Sequence, residues 1–526
     1  MTRNTETDLA FDYHDLTKHS YRSIRASRHY LDWSNQPSPF KIYPSIDPIK
    51  LPIEFPLTGV RALDAIASPP NSPSVKAAPS GDTAPTIEQL ASLLLYSAGV
   101  TKEKKYEGGS FYFRAAACAG ALYPTEVYVV CGDIEGLAAG VYHFNPGDFS
   151  LRQLRSGDHR GVLVQATASQ PAVATAPVTL VYSAISFRST WKYRDRAYRY
   201  HFWDNGMILA NALAMAAAHK LPAEVVLGFV DSEVNRLIGI DGQSELPLSL
   251  LTLGYRAEPT PPASSAKDLP DLNLDVIPLS PAPVDYRSMR EMHDASSLPD
   301  EAEVGSWRTN ARAQAAPGRV PPVGDAKLTP LSPPGEDDLP EASLETVIER
   351  RGSTRRFARK QISFAQFSIM LDRATGSIPF DCIDPTTHLN ELYMIVNRVE
   401  GLEPGAYFYR RDERALELLK PGDFSEKASY LTLEQELGGD ASVTIFFMVD
   451  LQAALARLGN RGYRAAQLEA GIIGGKIYIA AYAVGRGATG LTFFDDDVTE
   501  FFSPHAAGKS CMLVVSVGVP GKRLIY

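Results

Sequence analysis

Lys192 and Tyr193 sit side by side in "WKYRDRAYRYHFWDNG" (191–206), directly ahead of a long apolar run. A cation beside a phenol lowers the phenol's pKa, and burial lowers that of a lysine. The pair is therefore a candidate for taking a substrate proton near neutral pH; an exposed lysine beside a packing tyrosine is the bland alternative. In "RGSTRRF" (351–357), Arg351, Ser353 and Arg355 alternate, so an extended segment would point them the same way. Guanidinium forks match phosphate oxygens in pairs, which makes this a candidate phosphate grip, against the competing reading of a solvated basic loop. "FRAAACAGALYPTE" (113–126) is small, apolar and glycine-containing. Such a stretch lets a flat ring approach backbone N–H groups, or else it is an ordinary buried turn.

The elements that must position these residues come in two copies. Arg196-Ala197-Tyr198-Arg199, with Asp204 and Gly206 after it, recurs 265 residues later as Arg461-Gly462-Tyr463-Arg464, with Glu469 and Gly471. "GLAAGVYHF" (136–144) and "GLEPGAYFY" (401–409) keep that offset. "FVDSEVNRLI" (229–238) and "FFDDDVTEFF" (493–502) lie 264 apart, as do "LLTLG" (250–254) and "VVSVG" (514–518). Ordered matches at one spacing mark a duplication of domain-sized units. Each copy reads as a helix (N-caps Thr86 and Ser363), a strand, a turn and a second strand. A long apolar helix (about 202–219 and 465–483) and a closing strand complete the unit. Without regular βαβ alternation the class is α+β. Residues 257–340 are rich in Pro, Ser, Ala and Asp and read as a linker with one short helix near "DYRSMREMHDA". The expected division is 1–256, linker 257–340, and 341–526.

At 526 residues two moderate domains are expected, and 44% hydrophobic with 21% charged residues describes a globular chain. A net charge of −9 argues against nucleic acid as a partner. Cys118, Cys131, Cys382 and Cys511 are too scattered for a zinc pattern or a disulfide framework, and no metal site is expected. "GRGATG" (485–490) follows an apolar helix rather than a strand, so it reads as a tight turn and not a dinucleotide fingerprint. No apolar signal core or membrane-length run is visible, which leads to the expectation of a cytoplasmic protein with no membrane partner.

Together with "SIRASRHYLDWSNQPSPFKIYP" and "SAGVTKEKKYEGGSFYFRAAACAGALYPTEVYVV", these motifs resemble the SagB/ThcOx-type branch of the nitroreductase-like flavoproteins, over nearly the whole chain except the linker. The resemblance implies a nitroreductase-like fold duplicated in tandem, an intramolecular pseudo-dimer with FMN at the interface. It assigns Arg351, Ser353 and Arg355 to the flavin from one half. From the other half it assigns the ring-side loop, Ala117, Cys118, Ala119, Gly120 and Leu122. Gly490 and Leu491 would meet the isoalloxazine edge, and Lys522 and Arg523 the phosphate. Ala117-Cys118 stands where the family has Pro-Ser, which removes a hydroxyl donor. Lys192 and Tyr193 match the base and its support; the second copy has Arg457 and Leu458 there, which cannot do that chemistry.

The losses are complementary. The first-half counterpart of "RGSTR" is "SVKAA" (74–78), without arginine. Conversely, 27 positions separate Gly99 from Glu126 but only 15 separate Gly376 from Glu391. One flavin site is expected, from first-half loop and second-half arginines, and the other is expected to be empty. The implied activity is an FMN-dependent dehydrogenase or oxidase of a peptide or carrier-bound natural-product intermediate, such as azoline to azole, partnered by a cyclodehydratase or carrier protein. The alternatives are an NAD(P)H-dependent nitro or quinone reductase acting on a small molecule, and a non-catalytic member that docks a peptide or protein.

Overall fold

The computed structural model describes residues 3–67, 81–106, 109–263, 266–313, 327–384 and 387–521. Thr86 and Ser363 open the helices Ile87–Ala98 and Phe364–Ala374, each with a reciprocal capping box, to Gln89 and Gln366. The expected strand pairs are Thr125–Cys131 with Gly140–Asn145, and Glu391–Val396 with Gly405–Arg410.

Each half builds one seven-stranded antiparallel sheet, and the two sheets have the same order. The first runs Pro48–Lys50, Ser150–Ser156, Gly140–Asn145, Thr125–Cys131, Val178–Ile185, Glu245–Leu253, Ala223–Val226. The second runs Leu328–Pro330, Ala415–Pro421, Gly405–Arg410, Glu391–Val396, Val443–Val449, Ser510–Gly518, Gly487–Leu491. Between the sheets, Ala197–Ala218 and Arg461–Ala483 pack on each other and are buried almost throughout. That explains their all-round apolar composition. They cross at the repeated glycines: a Cβ on Gly206 would lie 2.6 Å from Gly471 Cα, and one on Gly471 2.6 Å from Trp203 O.

The repeated arginines explain why the phrase is written twice. Arg196 and Arg199 bind Asp495 at 2.9 and 2.7 Å, while Arg461 and Arg464 both bind Asp231 at 2.7 Å. Each half therefore grips an acid of the other, in the reciprocal pattern of a two-fold interface. Burial alone would raise both carboxyl pKa values, but the paired guanidinium groups outweigh it and hold them well below the ordinary range.

Where composition pointed to one short helix in 257–340, Arg287–Ala295 is joined by a second, Glu301–Ala313. The segment is woven into the fold: Met289, Met292 and Trp307 are buried, and Leu328–Pro330 forms an edge strand of the second sheet. A hairpin, Val100–Tyr106 with Gly109–Arg114, accounts for most of the extra length before Glu126. Its signal was the Gly-Gly at 108–109 between alternating stretches.

Candidate active site

The helix Ser186–Tyr193 ends where Arg194 takes a φ of 51°, leaving Lys192 and Tyr193 on its last turn. Both face the turn at Gly120. A Cβ there would lie 2.7 Å from the Tyr193 hydroxyl and 3.3 Å from Lys192 Nζ, and Gly120 has a φ of +64°. Both constraints favour glycine. Tyr193 stacks on Tyr200 at 4.2 Å, and Lys192 Nζ lies 5.4 Å from the Tyr193 ring centroid.

These groups line a cavity of about 430 Å³ together with Ala117, Cys118, Ala119, Ser353, Arg355, Gly490 and Leu491. Residues from both halves thus meet in one cleft. Among the described residues Arg355 and Ser353 have no hydrogen-bonded partner and Arg355 no ion pair, so both are available to a ligand. Other assigned residues stand outside the lining. Arg351 donates from Nε to Ala115 O (2.8 Å) and from Nη2 to Arg114 O (2.8 Å) and Ala116 O (3.1 Å). It clamps the ring-side loop. Leu122 lies beside Gly120, its Cδ1 3.4 Å from where a Cβ there would stand, and Lys522 and Arg523 lie outside the described residues, as does 74–78. The motif reading missed Tyr200, Trp203, Asp204, Met207, Tyr478 and Thr489, all in the cavity wall. Helical spacing from Tyr200 to Asp204 to Met207 was a usable signal for three of them.

One electrostatic expectation is corrected. The neighbouring cation predicts a lowered pKa for Tyr193. Burial instead pushes its phenol well up, with Tyr200, Asp204 and Cys118 adding to the rise, and Arg355 opposes them without prevailing. The phenol is thereby held in its neutral form. Lys192 follows expectation: partial burial, then Arg355, lowers its pKa. Of the two, only the lysine has its pKa moved toward neutrality.

The counterpart cleft is filled by the chain itself. Asp381 accepts Leu227 N–H (2.8 Å) and Gly228 N–H (3.0 Å), at positions that correspond to Leu491 and Thr492. Arg308 Nε donates to Asp381 (3.2 Å), and a Cβ on Gly228 would lie 3.1 Å from the Trp307 ring. Trp307 Nε1 donates to Leu458 O (2.7 Å) and Arg457 Nε to Ala311 O (2.6 Å), so the counterparts of Lys192 and Tyr193 face the linker helix.

The nitroreductase family matches residues 82–255 and 348–519. The chain belongs to the nitroreductase family, in tandem form. A nitroreductase-type protein of Methanocaldococcus jannaschii is 31% identical over 33% of this chain and 82% of its own length. The trifolitoxin-processing protein TfxB of Rhizobium leguminosarum is 29% identical over 31% of this chain and 46% of its own. The microcin B17-processing protein McbC of Escherichia coli is 29% identical over 26% and 52%. The chain thus spans about half the length of these two processing proteins, which agree with the SagB/ThcOx-type resemblance of its motifs. A crystal structure of a nitroreductase-type protein from Anabaena variabilis covers 98% of this chain and 99% of that one, with TM-score 0.75 and 26% identity. The likeness to that structure extends over both halves of this chain. Among its described residues no helix is long and apolar enough to cross a membrane, and no group of three potential metal ligands gathers.

Proposed function

We propose that this protein is an FMN-dependent dehydrogenase or oxidase that converts an azoline to an azole, or desaturates a related bond, in a peptide or carrier-bound natural-product intermediate. The carrying observation is the composite cavity, with Arg355 and Ser353, unpaired among the described residues, on one wall and Lys192 with Tyr193 across a glycine turn on the other. An unpartnered guanidinium and hydroxyl suit a phosphate, and the small side chains of Ala117, Ala119 and Gly120 suit a flat ring. FMN bound there supplies the two-electron acceptor for a substrate hydride.

The remaining work falls to this chain's own residues. Lys192, with its pKa lowered, receives the proton that leaves the substrate carbon. Tyr193, held protonated, donates a hydrogen bond toward the reacting ring and fixes its orientation. Tyr200, Trp203 and Met207 present apolar surface that keeps bulk water from the base. Loss of a hydride and a proton from adjacent atoms leaves the new double bond, so one base and one acceptor suffice. The trifolitoxin- and microcin-processing relatives support a natural-product substrate; the cyclodehydratase or carrier protein that delivers it is the partner the motif resemblance implies. In air, FMN-loaded protein given a thiazoline-bearing peptide should remove about 2 Da per ring with matching oxygen uptake. Fast NADPH–quinone turnover indifferent to Lys192→Met would support a reductase instead.

A further inference from the structure

The repeated phrase carries an acid that neither the arginine–aspartate pairs nor the proposed reaction uses: Asp204 in the first half and Glu469 in the second, the latter 3.5 Å from His388 Nδ1. Both are buried, at 4% and 1% exposure. Asp204 Oδ1 accepts Ala119 N–H at 2.8 Å, and Oδ2 accepts the Cys118 thiol at 3.1 Å. The same sulfur accepts Tyr123 N–H at 3.1 Å, so the turn is tied at three points. Glu469 does the corresponding work in its own half, accepting from Leu389 N (3.0 Å), Asn390 N (2.7 Å) and the Asn390 side-chain amide (2.7 Å). In each half the acid pins the loop that leads into a central sheet strand, Thr125–Cys131 or Glu391–Val396. The pinned loops differ in what they face: residues 117–120 wall the cavity, and 388–390 do not.

We propose that Asp204 is a positioning residue, a latch that holds the Cys118–Gly120 turn in place against Lys192, Tyr193 and Arg355, and that Glu469 is its duplicate on a turn with no ligand to face. The latch itself needs no cofactor; its effect on a flavin rests on the function proposed above. Several titratable groups surround Asp204. The Cys118 thiol approaches from the loop, Tyr193 and then Lys192 from the preceding helix, Tyr200 from its own helix, and Arg355 from the second half. Among the described residues no cation forms an ion pair with it. Burial raises Asp204 to about 7 against the pull of Ala119 N–H and Cys118, so the charge-assisted form of the latch gains population through neutrality.

Two readouts test this without relying on turnover. In the cofactor-free protein, iodoacetamide should alkylate Cys118 about tenfold faster in Asp204→Ala than in wild type, because the thiol loses its cover and its acidic neighbour. Glu469→Ala should leave that rate unchanged. Riboflavin, which lacks a titrating phosphate, should bind more weakly to wild type as pH falls through about 7, and Asp204→Asn should flatten that profile. An unchanged Cys118 rate in Asp204→Ala, or an equal rise in Glu469→Ala, overturns the latch. Should Asp204→Ala fail to fold, the isosteric Asp204→Asn decides, and a riboflavin profile as steep as wild type's overturns it. If wild type takes up no riboflavin while Asp204→Ala still bares Cys118, the latch stands and the cofactor reading falls.

Discussion

Two clefts flank the crossed central helices, related by the same duplication, and they have gone opposite ways. One keeps a small-residue turn, a lysine on the last turn of its helix and, across the gap, an arginine unpaired among the described residues. The other has drawn in Asp381 and the linker side chains Trp307 and Arg308, and its Lys192 counterpart, Arg457, hydrogen-bonds the linker backbone. What both halves retain is the interface: the reciprocal ion pairs to Asp231 and Asp495, the glycine crossing and the loop-pinning acid. Interface residues are tied together by the two-fold, since each serves both halves. Cleft residues are not, so one cleft can change into packed core while the other stays open.

The sharpest way to break this contrast is Lys192→Met beside Arg457→Met. The first should lower turnover by about 10²–10⁴-fold at unchanged flavin content, the loss expected for a general base. The second should leave turnover alone, and equal slowing in both would erase the asymmetry. Next comes Trp307→Ala, which should cost about 3–5 kcal/mol in urea unfolding through the cavity it leaves. Flavin should remain at one per chain, measured by absorbance after gel filtration; a second bound flavin would show that the linker alone closes the counterpart cleft. Arg355→Ala should weaken FMN binding by roughly 10–100-fold, the worth of a charge-assisted hydrogen bond, and leave riboflavin affinity nearly unchanged. Equal losses for both ligands would remove Arg355 from the phosphate.

The smallest effects are in pH and carry opposite signs. Asp231 and Asp495 have depressed folded pKa values, so their stabilisation is full above about 4 and is lost as acid protonates them. Asp204, raised to about 7, favours the protonated form, and its contribution is full below about 4 and lost as pH rises through 7. Melting curves of Asp231→Asn should therefore converge on wild type in acid, and those of Asp204→Asn should move above wild type on the alkaline side.

Much of this was legible in the residues. The duplication and its α+β elements followed from ordered matches at one spacing, and the capping boxes at Thr86 and Ser363 are local chemistry. The cavity's two walls were legible as motifs, Ala117–Gly120 and Ser353 with Arg355. Three things were not. Arg351 belongs to the same motif as Arg355 yet turns to loop carbonyls, because which alternate side chain meets backbone depends on a loop some 235 residues away. The linker's composition promised solvent exposure, and only the neighbouring cleft decided that Trp307 would be buried. Tyr193's environment depended on burial between two elements, and that burial outweighed the one opposing cation named for it, Arg355.

By itself, then, the order of residues determined the repeat, the types of secondary structure and the kinds of side chain available to each half. Tertiary structure alone decided which copies of those side chains face an open cleft, which are sealed, and which way their protons lean. Periodicity and capping act within a few residues, whereas solvent exclusion is set by whatever the rest of the chain packs against.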